Sequence, residues 1–199
     1  MNSFYYIHNF KTMGTTIYYQ LPNNYNKKYY GQKTLLQYEK LNNIKLNKNE
    51  IYNKYKNNKI SIDHLQIDNL IDLGIINKYK NIEFIMFIRN PIIRFISICN
   101  FKNIHPNVLL HKLKNNIGDN YFQYKLLESK YDLNIKVCRM SNKKFIINFF
   151  KKYNIHLNLN IKKNISKKKF KLSMISHEDK LFLREFYKKD FELLSNLDK

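Results

Sequence analysis

The sequence predicts an α/β chain in which helices sandwich a central, mainly parallel sheet. Residues 82–88, Ile-Glu-Phe-Ile-Met-Phe-Ile, are almost continuously apolar, β-branched or aromatic, as in a parallel strand covered on both faces. Shorter runs of the same character at 3–10 and 134–140 are separated from it by stretches with helical spacing. Glycine occurs four times and proline three times in 199 residues, and several of them fall where these runs end. Such scarcity makes each one a marker of a backbone requirement. The length suits one domain, residues 1–199.

In order along the chain, the run at 3–10 is a strand, Lys11 to Thr16 a tight loop, and Ile17, Tyr18 and Leu21 the apolar positions of a helix that stops before Pro22. Residues 23–58 are rich in Lys, Asn and Tyr and contain one helix candidate, 34–41. A short strand at 59–62 leads through Asp63 and His64 to a helix at 67–73, which Gly74 closes. Strand 82–88 ends at Arg89-Asn90, and Pro91 suits the first position of a helix carrying Ile92, Phe95, Ile96 and Cys99. Helical patterns follow at 108–116 and 121–130. A strand at 134–140 precedes a helix capped by Ser141 or Asn142 and reaching about 153. Residues 156–171 read as a basic loop. Ser176 then caps a closing helix with Leu183, Phe186, Tyr187, Phe191 and Leu194 on its apolar face.

The formal charge is +21, from 36 Lys plus Arg against 15 Asp plus Glu, yet 44% of residues are hydrophobic, too many for a disordered basic tail. All basic residues but Arg89, Arg94, Arg139 and Arg184 are lysines, Asn, Ile and Tyr abound, and Ala is missing. That usage is what an AT-rich coding sequence produces, so charge alone does not name a partner. No stretch approaches the ~20 apolar residues that span a bilayer, and the first ten residues lack the charged-then-apolar order of a signal peptide. A soluble, unexported chain is expected, cytoplasmic, or in the host cytoplasm if viral. Cys99 and Cys138 sit inside apolar runs and read as reduced core thiols. The six histidines form no HxxxH or HExxH pattern, so no metal site is expected.

Two loops carry chemistry. In Lys11-Thr12-Met13-Gly14-Thr15-Thr16 a lysine, a glycine and three threonines lie between a strand and a helix, where backbone amides and hydroxyls suit a phosphate or sulfate. Lys11 precedes the only glycine, so this is not a GxxxxGK[ST] loop. The alternative is purely structural, with Gly14 turning the chain and Thr15 capping the helix. In Arg89-Asn90-Pro91-Ile92-Ile93-Arg94-Phe95-Ile96-Ser97, an arginine at a strand end and a serine two helical turns on suit a dianionic phosphate. The alternative is that Arg89 and Arg94 pair with surface acids.

Together the loops resemble those of the sulfotransferases that use 3′-phosphoadenosine 5′-phosphosulfate (PAPS). His8-Asn9-Phe10-Lys11-Thr12-Met13-Gly14-Thr15-Thr16 resembles their HxPKTGGTS loop, and Arg89 to Ser97 their RxPxxRxxS motif. Asn164-Ile165-Ser166 looks like their NxS segment, and Tyr187 to Leu194 like the YxxDFELF ending of the carbohydrate, heparan 2-O-sulfotransferase-like branch. The resemblance implies a P-loop-like three-layer sandwich. It also implies that Lys11, Thr12, Gly14, Thr15 and Thr16 hold the 5′-phosphosulfate, that Arg89 and Ser97 hold the 3′-phosphate, and that Ser166 contributes to donor binding. Lys11 would stabilise charge on the leaving oxygen. His64 stands where histidine-using relatives have their base, with Asp63 and Glu50 as alternatives. The implied acceptor is a hydroxyl, a carbohydrate being favoured, and the lysines of 162–171 would attract an anionic glycan. Met13 departs from the usual glycine, and its side chain is expected to crowd the loop or resist a positive φ. Two other functions stay open on the sequence: a nucleotide-binding fold of this kind without turnover, and a basic nucleic-acid-binding module.

Overall fold

The computed structural model of the chain describes residues 3–22, 33–56, 60–117, 122–161 and 169–198. It is an α/β structure built on a three-stranded parallel sheet in the order β1 (Ser3–Ile7), β2 (Ile82–Ile88), β3 (Ile135–Arg139). The helices are α1 (Gly14–Tyr18), α2 (Leu35–Asn42), α3 (Glu50–Lys56), α4 (Ile67–Asp72), α5 (Pro91–Lys102), α6 (Pro106–Lys114), α7 (Lys143–Lys151), α8 (His177–Phe186) and α9 (Lys188–Ser195). β2 is central, and every residue in it except Glu83 is buried, as its unbroken apolar run requires. Ile7 pairs with Met86 and Ile88 with Arg139, so the chain leaves β1 and β2 at the same edge of the sheet.

The two-residue period of the strands sorts their side chains onto opposite faces. On one face Tyr5, Ile7, Phe84, Met86 and Ile88 join Leu35 and Tyr38 of α2, Tyr52 of α3, Ile67 and Leu70 of α4, and Leu194 of α9. On the other, Phe4, Tyr6, Ile85, Phe87 and Cys138 join Ile17 and Tyr18 of α1 and Ile146, Phe149 and Phe150 of α7. A third cluster ties α5, which starts at the end of β2, to α6 and α8 through Ile92, Phe95, Leu109, Leu113 and Leu183. No helix among the described residues is long and apolar enough to cross a membrane.

Local chemistry explains the helix ends. Thr34 forms a capping box with Gln37, and the Asn90 side chain accepts from the amides of Ile92 and Ile93, with Pro91 at the first position. Asn142, one of the two expected caps, accepts from the Phe145 amide. Gly74 takes φ +70 just past α4, the conformation expected of a closing glycine. Cys99 and Cys138 are separate buried thiols, and burial pushes them up to about 12 and about 11 respectively.

Several expected elements differ, beginning with the first strand, which ends at Ile7 rather than at residue 10, and the helix after it, which ends at Tyr18 before reaching Leu21. Of the strand expected at 59–62, the described part holds only an isolated antiparallel bridge between Ser61 and Thr34, followed by a 3-10 turn at Ile62–His64. The helix expected at 121–130 is reduced to the 3-10 turn Tyr124–Leu126. There the Lys130 amide donates to Asp68, so a distant side chain takes a donor that a helix would use. The closing helix breaks at Tyr187 into α8 and α9, which lets Leu183 pack in the third cluster and Leu194 under the sheet. Of the basic loop, the described parts 156–161 and 169–171 hold no helix or strand, and Leu157, Leu159 and Phe170 in them are buried. Asn164 to Ser166 lies outside the described residues.

Candidate functional site

The site is built where β1 and β2 end. After Ile7 the chain turns at once, the Asn9 amide donating to the Ile7 carbonyl and the Thr12 amide to that of Asn9. Thr12 is buried, its hydroxyl donates to the Asn9 carbonyl at 2.6 Å, and Tyr6 Oη donates to the Thr12 carbonyl at 3.1 Å. Thr12 therefore shapes the loop from beneath. Lys11 (φ 65) and Met13 (φ 67) are left-handed, while Thr12 between them and Gly14 after them are not. Alternation of this kind turns successive amides toward one concave side, a backbone nest suited to an anion. The amides of Met13 and Gly14 have no carbonyl acceptor among the described residues.

Met13 does not behave as its departure from glycine suggests. It takes the positive φ itself, and its side chain packs against the aromatic cluster on that face of the sheet. Gly14 is needed for a different reason than turning. A Cβ there would stand 1.9 Å from Nε2 and 2.1 Å from Cδ2 of His8, whose ring lies against this first residue of α1. Thr15 and Thr16 continue α1, and Thr16 is buried.

Arg89, the first residue after β2, reaches across to the same loop, with Nη1 3.5 Å from the Lys11 carbonyl oxygen. Lys11 Nζ lies 4.4 Å above the Phe101 ring of α5. Burial lowers the proton affinity of Lys11, and the Arg89 charge lowers it further; burial does the same to Arg89. No carboxylate of the described residues forms an ion pair with either. Two half-buried cations thus share a loop mouth, and a ligand of opposite charge would relieve both. Ser97 stands one helical turn before Phe101, on the same side of α5.

His64, exposed in its 3-10 turn, is brought to this mouth from another part of the chain. Its ring centroid is 5.1 Å from that of His8 and 6.1 Å from that of Phe10. Lys11 and Arg89 thus meet at the loop, the His8 ring lies against Gly14, and His64 stands beside His8 and Phe10, while Glu50 is an exposed residue at the start of α3. Of the expected site residues, Ser166 lies outside the described ones.

Arg94 parts company with Arg89. It is buried, donates from Nη1 to Asn9 Oδ1 at 3.0 Å, and sits 3.6 Å from the carboxylate of Asp190 in α9. Burial lowers the Arg94 proton affinity and raises that of Asp190, so desolvation outweighs their mutual attraction in both. Asp190 also accepts from the Gln123 and Tyr124 amides. Sequence reasoning placed Asn9 in the loop motif without a role and missed Gln123, since an amide side chain in a loop leaves no periodic trace. Comparison with protein-family models, with curated proteins and with solved structures gives no match for this chain.

Proposed function

We propose that the chain is a sulfotransferase that takes a sulfuryl group from PAPS and passes it to an acceptor hydroxyl, with a carbohydrate as the favoured acceptor class. We read the α/β fold as the P-loop-like, three-layer architecture of that family. One observation carries the reading: Lys11 and Arg89, separated by 78 residues, meet at one loop mouth without a carboxylate partner among the described residues. A dianionic ligand with charge at two points answers that arrangement. The left-handed residues at 11 and 13 support it, because they turn unbonded amides to the same side.

In this reading Lys11 and the amides around Gly14 hold the 5′-phosphosulfate, and Arg89 with Ser97 holds the 3′-phosphate. The donor supplies the sulfuryl group. Lys11 offers a positive charge to the oxygen that leaves, and His64 takes the proton of the acceptor hydroxyl. Thr12 acts through the loop it braces. Two substitutions test the assignment. Arg89→Ala weakens binding of 3′,5′-adenosine bisphosphate far more than that of AMP, and an equal loss refutes the 3′-phosphate role. His64→Ala abolishes transfer while product binding survives, and unchanged turnover removes His64 as the base.

A further inference from the structure

The two halves of the candidate site come from β1 and β2, and one side chain joins them. Gln123 is fully buried in a loop before β3. Its Oε1 accepts from the Arg89 amide at 2.9 Å and from Asn9 Nδ2 at 2.9 Å, and its Nε2 donates to the Arg89 carbonyl at 2.9 Å. The amide group thus grips both peptide groups of Arg89, as a neighbouring strand would, just where β2 ends. Asn9 is fixed in turn by its bond to the Phe87 carbonyl at 3.0 Å and by Arg94. Gln123 itself is held from behind, because its backbone amide donates to both carboxylate oxygens of Asp190 at 2.9 and 3.0 Å.

We infer that Gln123 is the positioning residue of this site: it sets where the Arg89 guanidinium stands relative to the Lys11 loop, and so selects a ligand carrying two phosphate groups over one carrying a single phosphate. Arg89 leaves the sheet with no β3 partner of its own, since the register closes at Ile88 with Arg139. Without Gln123 its peptide groups would be free to turn, and buried amides left unpaired do so or admit water. Gln123 touches no ligand in this scheme. Asp190 and Arg94 act one step further out, by holding Gln123 and Asn9. The inference rests on the reading that Lys11 and Arg89 together hold a bisphosphate.

The test compares Gln123→Met, which keeps the volume and loses the bonds, with Ile146→Ala, a buried change in α7 that removes none of those bonds. Calorimetry measures the preference for 3′,5′-adenosine bisphosphate over AMP in both variants and the wild type, with thermal melts recorded for each. Gln123→Met should lower that preference about tenfold, the equivalent of one or two hydrogen bonds, while Ile146→Ala, though less stable, keeps it. If Gln123→Met does not fold, the same ratio is read on Gln123→Glu, which retains the acceptor oxygen and loses the donor to the Arg89 carbonyl. A preference unchanged by either Gln123 variant overturns the positioning role and leaves the proposed function standing. An equal fall in Ile146→Ala also overturns it, since the effect then follows stability. A wild type that shows no preference overturns both.

Discussion

Gly14→Ala gives the sharpest reading of the loop. Gly14 is the first residue of a helix and is not left-handed, so propensity alone favours alanine by up to about 1 kcal/mol. The added Cβ, however, falls 1.9 Å from His8 Nε2, and the ring would have to retreat to at least the 3.0 Å below which real Cβ contacts are essentially never found. That retreat is obstructed, because the ring lies 5.6 Å from Tyr18, 6.3 Å from Tyr6 and 5.1 Å from His64. Overpacking of this kind costs about 1–3 kcal/mol, which leaves a net loss of up to about 2 kcal/mol after the full helical gain. Urea unfolding of Gly14→Ala, His8→Ala and the double variant measures it. The double variant should recover about 1–2 kcal/mol relative to the sum of the single changes. Gly14→Ala that is neutral or stabilising, with no coupling to His8, refutes the close-approach account.

Three further outcomes follow from buried and paired charges. Asp190→Ala leaves Arg94 uncompensated in the interior and should cost about 3–5 kcal/mol in urea unfolding, with Asp190→Asn costing less because it keeps an acceptor; a loss under 1 kcal/mol for the alanine contradicts the buried pairing. Burial opposes the charge of Glu83, but bonds from Lys136, Tyr153 and Lys152 outweigh it and bring its pKa down to about 2. A depressed carboxylate gives stability that is whole above its unfolded value near 4.5 and is lost as pH falls toward 2. Glu83→Gln should remove about 1–2 kcal/mol of that acid sensitivity, a figure reduced because both lysines are about half exposed, and an unchanged acid limb counts against it. Burial, aided by Arg89, lowers the Lys11 pKa, so its charge is lost at a lower pH than that of an ordinary lysine. Affinity for 3′,5′-adenosine bisphosphate should therefore decline on the alkaline side before the usual lysine range, and Lys11→Arg should flatten the decline; identical profiles contradict the placement of Lys11.

The strand 82–88, the Pro91 helix start and the positions of Lys11 and Arg89 at strand ends were legible because each rests on a local rule: an unbroken apolar run, a missing amide hydrogen, a charge beside a turn. The loop's backbone was legible only in part. Glycine rules placed the strain at Gly14, whereas the left-handed residues are Lys11 and Met13, and Gly14 serves the His8 ring instead. Asn9, Gln123 and the inward turn of Arg94 were not legible, because their partners lie 85 and 114 residues away and depend on how the elements pack. The same distance effect cancelled the helix at 121–130. Asp68, 62 residues back, takes the Lys130 amide that a helical pattern would have kept local.

The account stands or falls on the ligand at the Lys11 and Arg89 mouth. Calorimetric titration of the wild-type chain with 3′,5′-adenosine bisphosphate, set beside random oligonucleotides at several salt concentrations, tests it directly. The account predicts micromolar, saturable binding of the bisphosphate and only salt-sensitive association with the oligonucleotides. Tight oligonucleotide binding with no heat from the bisphosphate would contradict it and make the charge of +21, rather than the two loops, the seat of function.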